Sequence, residues 1–401
     1  MSRTVTLVLV DADGRPLGAL EPYEVGSPYW SEVADVVAGA RTRHGVAVTV
    51  LRLLHTEQGR AMRDGLVTYL AQLDGGEPPV LRTVDVDLAP HPLRAPYAVP
   101  GGPARALAWA AGAMAALGMP PAAPAQHRTW NLSALWRLDG PAGPVWLKEL
   151  PRFARHEAAV LRWLDGALPG AGPALLAADG AGRMLLGHVP GIDWYGADAR
   201  GRAAIVDAQH AIQLRAVADV PALVAQGVPD RRGARLAAAI RAALAPYRPP
   251  VDEVLPDLDR RVAALAGCGL PETVVHGDLH PGNVRIDGDP ATGARPVVID
   301  WAEATVGHPA LDLLRLTEDL APHDARTLVR RWARLWRAAR PGSDPERAVD
   351  LLRPVAALRN AATYAHFLAE IEPSEHPYHA GDVPFWLAEA GVVARGAPAV
   401  P

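Results

Sequence analysis

The chain has 401 residues, 44 of them acidic and 40 basic, for a formal net charge of -4. A balance so near neutral lacks the basic footprint of a nucleic-acid partner, and the length exceeds one ordinary domain and can bury a large core. The lone cysteine, Cys268, excludes an internal disulfide and makes the reducing cytoplasm the expected location.

Val5 to Val10 reads as a strand, Asp11 to Gly14 as a turn and Leu17 to Leu20 as a return strand. Asp11 and Asp13 interrupt the apolar run long before a secretory core would be complete. A helix follows with Val33, Val36, Val37 and Ala40 on one face, ending near Gly45, and then strands at Val46 to Leu54 and Leu66 to Leu73. This order is similar to that of the Nudix hydrolases and implies a small α/β accessory domain over residues 1–95. Aligning that family's Arg-Glu-x-x-Glu-Glu-x-Gly pattern to Gly45 puts Ala38, Gly39, Thr42 and Arg43 at its charged positions. No magnesium site survives, so the domain is expected to be catalytically empty.

Gly75 to Pro103, rich in Pro and Gly, reads as a linker. Ala106 to Leu117 reads as a packed connector helix within residues 96–125. It is mostly alanine and shorter than the roughly twenty residues a bilayer demands, so no membrane partner is expected. Thr129 to Trp136 then forms a hairpin without glycine, whose loop at Asn131 to Ser133 could offer backbone N–H groups and the Ser133 hydroxyl to phosphate oxygens.

Lys148 is the single lysine among the forty basic side chains, so arginine serves wherever a generic positive charge will do. An ammonium is compact and can sit between phosphate oxygens where a planar guanidinium would not fit. Strand alternation over Pro144 to Leu150 puts Trp146, Lys148 and Leu150 on one face, and a charge there needs a partner. The next helix supplies Glu157 on the apolar stripe marked by Phe153, Val160, Leu161 and Leu164. An edge-strand lysine reaching to water is the competing reading.

The most informative segment is His276-Gly277-Asp278-Leu279-His280-Pro281-Gly282-Asn283, followed by Val297-Val298-Ile299-Asp300-Trp301. Phosphoryl transfer takes a carboxylate to orient and deprotonate the attacking hydroxyl, and oxygen ligands to hold Mg²⁺ across the phosphates. Asp278 fits the first role; the Asn283 carbonyl and the Asp300 carboxylate fit the second. Val284 to Ile286 and Pro296 to Ile299 read as a short hairpin turning at Asp287-Gly288, which delivers Asp300 beside Asn283.

These strings resemble the catalytic and metal-binding segments of the aminoglycoside phosphotransferase and choline kinase superfamily, over roughly Gln126 onward. The resemblance implies an α+β, two-lobed protein-kinase-like fold with a nucleotide-binding N-lobe over residues 126–190 and a helical C-lobe over 191–401. It implies that Asp278 is the catalytic aspartate, that His276 shapes the loop, and that Asn283 and Asp300 bind Mg²⁺. Lys148 and Glu157 match the phosphate-contacting lysine and its helix glutamate in order and spacing. Met184 to Gly191 looks like the strand and hinge between the lobes, with backbone groups at Gly187, His188 and Val189 facing the adenine of ATP.

After Asp300 there is no room for the activation segment that a protein kinase uses to hold a peptide. Gly307-His308-Pro309 runs straight into a helix whose Asp312 the resemblance assigns to tying that helix to the catalytic loop. The acceptor pocket is expected from Arg353 to Trp386, including Tyr364, His366, Phe367, Glu370, Glu372, Glu375, His376 and Asp382, with Asp193, Trp194 and Glu303. Such carboxylates and aromatics suit a cationic, hydroxyl-rich acceptor. The expectation is an ATP- and Mg-dependent kinase of a small hydroxylated molecule, such as an aminoglycoside, another antibiotic or a metabolite. Two alternatives stand beside it: a nucleotide-binding sensor or scaffold of the same fold, favoured by the missing glycine loop, and an active hydrolase in the front domain.

Overall fold

The computed structural model describes residues 3–57, 62–141 and 143–397. It comprises two compact units: residues 1–155, 176–188 and 367–381 form the first, and 156–175, 189–366 and 382–401 the second. The linear boundaries read from the sequence do not capture this interleaving.

In the first unit, β1 (Arg3–Val10), β2 (Pro16–Ala19), β3 (Tyr23–Val25), β4 (Ala47–Glu57) and β5 (Gly65–Gly75) form one sheet in the order β2-β1-β5-β4, with β3 also on β1. β1 and β5 run parallel, and β4 returns antiparallel. Alternation sends Val5, Leu7 and Leu9 to one face, where Val36 and Ala40 of α1 (Ala34–His44) pack on them. Gly45 ends α1 in the left-handed conformation, φ 71°, its N–H on the Arg41 carbonyl.

The segment expected as a linker is instead packed. Val84, Val86 and Leu88 lie on the other face of this sheet against Val8, Val10, Leu51 and Leu70. Arg82 exchanges backbone hydrogen bonds of 2.9 Å with Ala19. Apolar residues at every second position gave this stretch a face to bury despite its prolines and glycines.

α2 (Gly102–Ala116) lays Ala106, Ala110 and Met114 on Trp136, Leu138, Val145, Leu147 and Leu185 of a second sheet. That sheet contains β6 (Ala123–Trp130), β7 (Ser133–Gly140), β8 (Gly143–Glu149), β9 (Leu175–Ala178) and β10 (Arg183–Gly187), in the order β6-β7-β8-β10-β9. The side-chain amide of Gln126 joins it to the first sheet, accepting from Val50 N–H at 2.9 Å and donating to Val50 O at 2.7 Å. Residues 367–381 return to the same unit, where the Tyr378 ring sits edge-on to Trp30 and Trp130.

The second unit is mostly helical: α3 (Glu157–Ala167), β11 (Ile192–Asp193), α4 (Ala199–Ala216), α5 (Val220–Ala225), α6 (Ala234–Leu244), α7 (Val251–Val254), α8 (Leu258–Ala264), β12 (Thr273–Val275), β13 (Val284–Ile286), β14 (Val297–Val298), β15 (Thr305–Gly307), α9 (Ala310–Thr317), α10 (Pro322–Ala339), α11 (Pro345–Glu370, which passes into the first unit at Phe367) and α12 (Asp382–Gly396). Phe153 lies on a 3₁₀ turn before α3, not on its stripe as expected; the buried stripe is Glu157, Val160, Leu161 and Leu164. Among the described residues, no helix is long and apolar enough to cross a membrane.

Candidate active site

β12 carries the chain into the loop that holds Asp278, and antiparallel pairing of Thr273 to Val275 with β15 fixes its direction. His276 at the loop's root is fully buried. Its Nδ1 accepts from Asp278 N–H at 3.2 Å, which leaves Nε2 as the protonated nitrogen, 2.9 Å from the Ile299 carbonyl. Burial lowers its pKa and outweighs the pull of Asp312. The ring is thus neutral with both nitrogens tied, packed 4.7 Å from the Trp301 ring. Both hydrogen bonds tie the ring to backbone, at Asp278 in the loop and at Ile299.

Asp312, one residue in from the second position of α9, clamps the same loop. Its carboxylate accepts from the backbone N–H groups of His276 and Gly277, each at 3.0 Å, and from the amides of Gln209 at 2.7 Å and Gln213 at 2.9 Å. Gly277 between them has φ 94°, and a Cβ there would fall 2.3 Å from the Glu303 carbonyl oxygen. Only glycine fits this close passage.

Asp278 is partly exposed and heavily engaged. Arg315 Nε donates to Oδ1 at 2.8 Å, Asn283 Nδ2 donates to Oδ2 at 3.0 Å, and His280 Nε2 lies 3.4 Å from Oδ2. Burial alone would raise this carboxyl, but the hydrogen bond from His280 and the Arg315 guanidinium hold it well below the usual carboxylate range. It is ionised and held in one orientation.

Asn283 Nδ2 also donates to the Asp278 carbonyl at 2.9 Å, so the amide is turned with its oxygen away from Asp278. Val284 pairs with Val298, and Ile299 N–H then bonds the Asn283 carbonyl at 2.9 Å. That register places Asp300 just past Asn283, as the sequence predicted. The connection between these strands is longer than a two-residue turn, spanning Asp287 to Pro296 with a 3₁₀ turn at Pro290–Thr292. Asp300 itself has φ 63°, a left-handed conformation that is sparsely populated for a residue with a side chain and clusters at functional sites. Glu157 supports the turn, its Oε1 accepting from Trp301 N–H at 3.0 Å. Among the described residues no cluster of three or more His, Cys, Asp or Glu is arranged to hold a metal. One carboxylate and one amide oxygen suit Mg²⁺, which takes one or two protein ligands and fills its shell with phosphates and water.

A small cavity of about 10 Å³ opens beside Asp278, lined by Gly277, Glu303, Arg315, Arg359, Asn360, Thr363, Tyr364 and Trp386. Arg359 donates to the Gly277 carbonyl, and Asn360 Nδ2 to Glu318 Oε1 at 2.8 Å. Burial, with Asp278 nearby, pushes Glu303 up to about 8. Of this wall the sequence reading named Glu303 and Tyr364, its stretch Arg353 to Trp386 took in Arg359, Asn360, Thr363 and Trp386, and it missed Arg315. Arg315 falls three residues after Asp312, one helical turn along the face that meets the loop, a spacing that could have identified it.

Other expected acceptor residues have partners within their own units. Glu370, Glu372 and Glu375 belong to the first unit, where Glu370 pairs with Arg152 and Glu372 with Arg94 at 2.8 Å and Arg52 at 3.3 Å. Phe367 and His376 are in that unit too. Asp193 on β11 pairs with Arg285 at 2.6 Å.

In the first unit, Lys148 sits in β8 opposite Leu135 and Met184 and is 7% exposed. Val145 and Leu147 face α2, so alternation puts Lys148 and Trp146 on the sheet's other face. On that face Trp146 Nε1 donates to His188 Nδ1 at 3.2 Å. Gly187 ends β10 opposite Val145. Ser133 opens β7 after a turn of Asn131 and Leu132, and its hydroxyl accepts from Trp130 Nε1 at 3.2 Å. Both polar atoms of the buried Asn131 side chain lack a hydrogen-bond partner. Val189 belongs to the second unit, where its carbonyl accepts from Arg285 Nε at 2.8 Å.

A buried aspartate-clamped loop, an asparagine five residues on and an aspartate at the end of the following strand define a protein-kinase-like phosphotransferase. The chain belongs to the phosphotransferase enzyme family, whose family model matches residues 42–348. It is a small-molecule kinase of α+β, protein-kinase-like fold. The match begins inside α1, well before Gln126, so it takes in much of the region expected to be a separate domain; nothing supports the Nudix resemblance. Among solved structures, a proposed aminoglycoside phosphotransferase from Ralstonia eutropha is 16% identical with a TM-score of 0.50, covering 74% of this chain and 99% of its own. A macrolide 2'-phosphotransferase from Brachybacterium faecium is 20% identical, TM-score 0.46, covering 73% and 99%. A choline kinase from Streptococcus pneumoniae is 14% identical, TM-score 0.47, covering 64% and 89%. No curated protein matches the chain.

Proposed function

We propose that this protein transfers the γ-phosphoryl group of Mg-bound ATP to a hydroxyl of a small molecule. The observation that carries this reading is the hydrogen-bonded pair of Asp278 and Asn283, with the Ile299 to Asn283 backbone bond bringing Asp300 alongside. Asp278 receives the acceptor's proton, and its ionised state supports that role. Asn283 and Asp300 hold the metal. Lys148 binds phosphate oxygens, with Glu157 as its positioning residue, and Ser133 and the unpartnered amide of Asn131 meet further phosphate oxygens. Backbone groups of Gly187, His188 and Val189 meet the adenine edge. When bound, Mg²⁺ neutralises phosphate charge and aligns the transferring group. Residues 1–95 and 96–125 act as accessory and connecting structure, 126–190 bind nucleotide, and 191–401 carry the catalytic loop and the acceptor.

The acceptor reading differs from the sequence expectation. Two guanidiniums, Arg315 and Arg359, line the cavity at Asp278, and they favour an acceptor rich in carbonyl, carboxylate or phosphate oxygens over a polyamine. An ADP-release screen tests both parts, using hydroxy acids, sugar phosphates, macrolides, amino alcohols and aminoglycosides, with Asp278→Ala as the control. Turnover confined to the oxygen-rich acceptors is expected. Preferred turnover of an aminoglycoside overturns the acceptor class, and ADP release unaltered in Asp278→Ala removes Asp278 from the mechanism. Nucleotide binding without ADP release across the panel would favour the sensor or scaffold, which the Arg315 contact on Asp278 and the glycine-free hairpin support.

A further inference from the structure

The first unit holds a cavity of about 360 Å³, far from trivial in size and within the range of small-molecule sites. Its walls include Val10, Leu70, Leu88 and Val99, and its polar groups are Arg52, Arg94, His91 and Asp13. We propose that this cavity is a second ligand site, binding a small organic acid through its carboxylate or phosphate group.

Arg52 and Arg94 share the carboxylate of Glu372. Arg52 stands on β4 and is 1% exposed. Glu372 is its nearest carboxylate, but both Glu372 oxygens accept from Arg94, at 2.8 to 3.0 Å. Arg52 has a 3.3 Å ion pair to Glu372 Oε1, and its Nε and Nη1 have no hydrogen-bond partner. Asp87, the other carboxylate that acts on Arg52, is exposed and accepts from Ala89 N–H at 2.8 Å. One carboxylate therefore serves two guanidiniums. Glu375 does not make up the deficit, because burial, with Glu372 nearby, pushes it up to about 8 and leaves it mostly protonated at neutral pH. A buried cation short of countercharge is costly, and an anion in the adjoining cavity would offset the surplus charge of Arg52 and Arg94.

The remaining lining agrees. His91 Nδ1 accepts from Leu93 N–H at 3.2 Å, so Nε2 carries the proton and is a second donor. The one acid, Asp13, is largely exposed and 3.8 Å from Arg15. The apolar walls suit a hydrocarbon or aromatic body.

Calorimetric titration of the full chain with benzoate, phenyl phosphate and the neutral benzamide tests the site, beside the variants R52M and L88W. Leu88→Trp fills the cavity without touching Arg52, and it keeps the test decisive if Arg52→Met fails to fold. Expected is binding of benzoate or phenyl phosphate at least tenfold tighter than benzamide, weakened at least tenfold in L88W, with ADP release unchanged. The acid preferred identifies the head group. Benzamide binding as well as both acids, full binding retained in L88W, or no binding of either acid at millimolar concentration overturns the proposal.

Discussion

Arg315 holds Asp278 by a single charged hydrogen bond, Nε to Oδ1 at 2.8 Å, while its Nη1 reaches Glu318 at 2.7 Å. The arginine thus ties the Asp278 carboxylate to α9, the same helix whose Asp312 clamps the loop backbone. Removing it in Arg315→Gln should let Asp278 take up a proton at higher pH, so the acid limb of the kcat/KM profile should move upward. The sign follows from the depressed carboxyl: its contribution to stability is present above the ordinary carboxylate range and is lost as pH falls through the folded value. Urea midpoints of the two proteins should therefore differ most near neutrality and converge in acid. An acid limb that stays in place would show that Arg315 does not set the state of Asp278.

Asp300 occupies a left-handed backbone conformation, which asparagine tolerates at least as well as aspartate. Asp300→Asn should leave the thermal midpoint nearly unchanged while raising the magnesium concentration needed for half-maximal nucleotide binding by about tenfold or more, as loss of a carboxylate ligand would. Asp300→Val, β-branched at φ 63°, should in contrast destabilise the chain. Equal magnesium dependence in Asp300→Asn and the parent would take the metal away from this residue.

Lys148→Arg retains the charge on β8 but replaces an ammonium by a wider, planar group in a position that is 7% exposed. We expect kcat to fall by about a hundredfold or more, the scale of losing one preorganised charge contact to a transferring group. Near-parental turnover measured by ADP release would make the lone lysine incidental.

Asp312 accepts four hydrogen bonds and is 1% exposed. Asp312→Ala strands two backbone N–H groups and two glutamine amides, and should cost about 3 kcal/mol or more in denaturant unfolding. Turnover should fall with it, because the loop that aims Asp278 loses its anchor. A variant within 1 kcal/mol of the parent, on the same scale of mutational effects, would contradict the clamp.

Much of the site was legible because its chemistry is compressed into short strings. From His276 to Asn283 the loop carries its own internal bonds, His276 to Asp278 and Asn283 to Asp278, so neighbours in sequence are neighbours in space. The strands of the first sheet were legible through alternation at Val5, Leu7 and Leu9, which marks a buried face whatever packs on it. The packed stretch of Val84, Val86 and Leu88 was hidden because proline and glycine around it signal a linker more loudly than three half-buried side chains signal a face.

What the residues determined alone is the set of groups from which the proposed chemistry is argued: a loop carboxylate, an amide and an acid brought together by a short strand pair, and one lysine, each named by local spacing and type. What only the folded chain decided is which charges meet. Arg315 and Arg359 reach the loop at Asp278 and Gly277, while Glu372 and Glu375 are drawn into the first unit beside Arg52. Long-range pairing of this kind depends on helix packing and on burial that makes unpaired charge expensive, and neither is written in the spacing of any short segment.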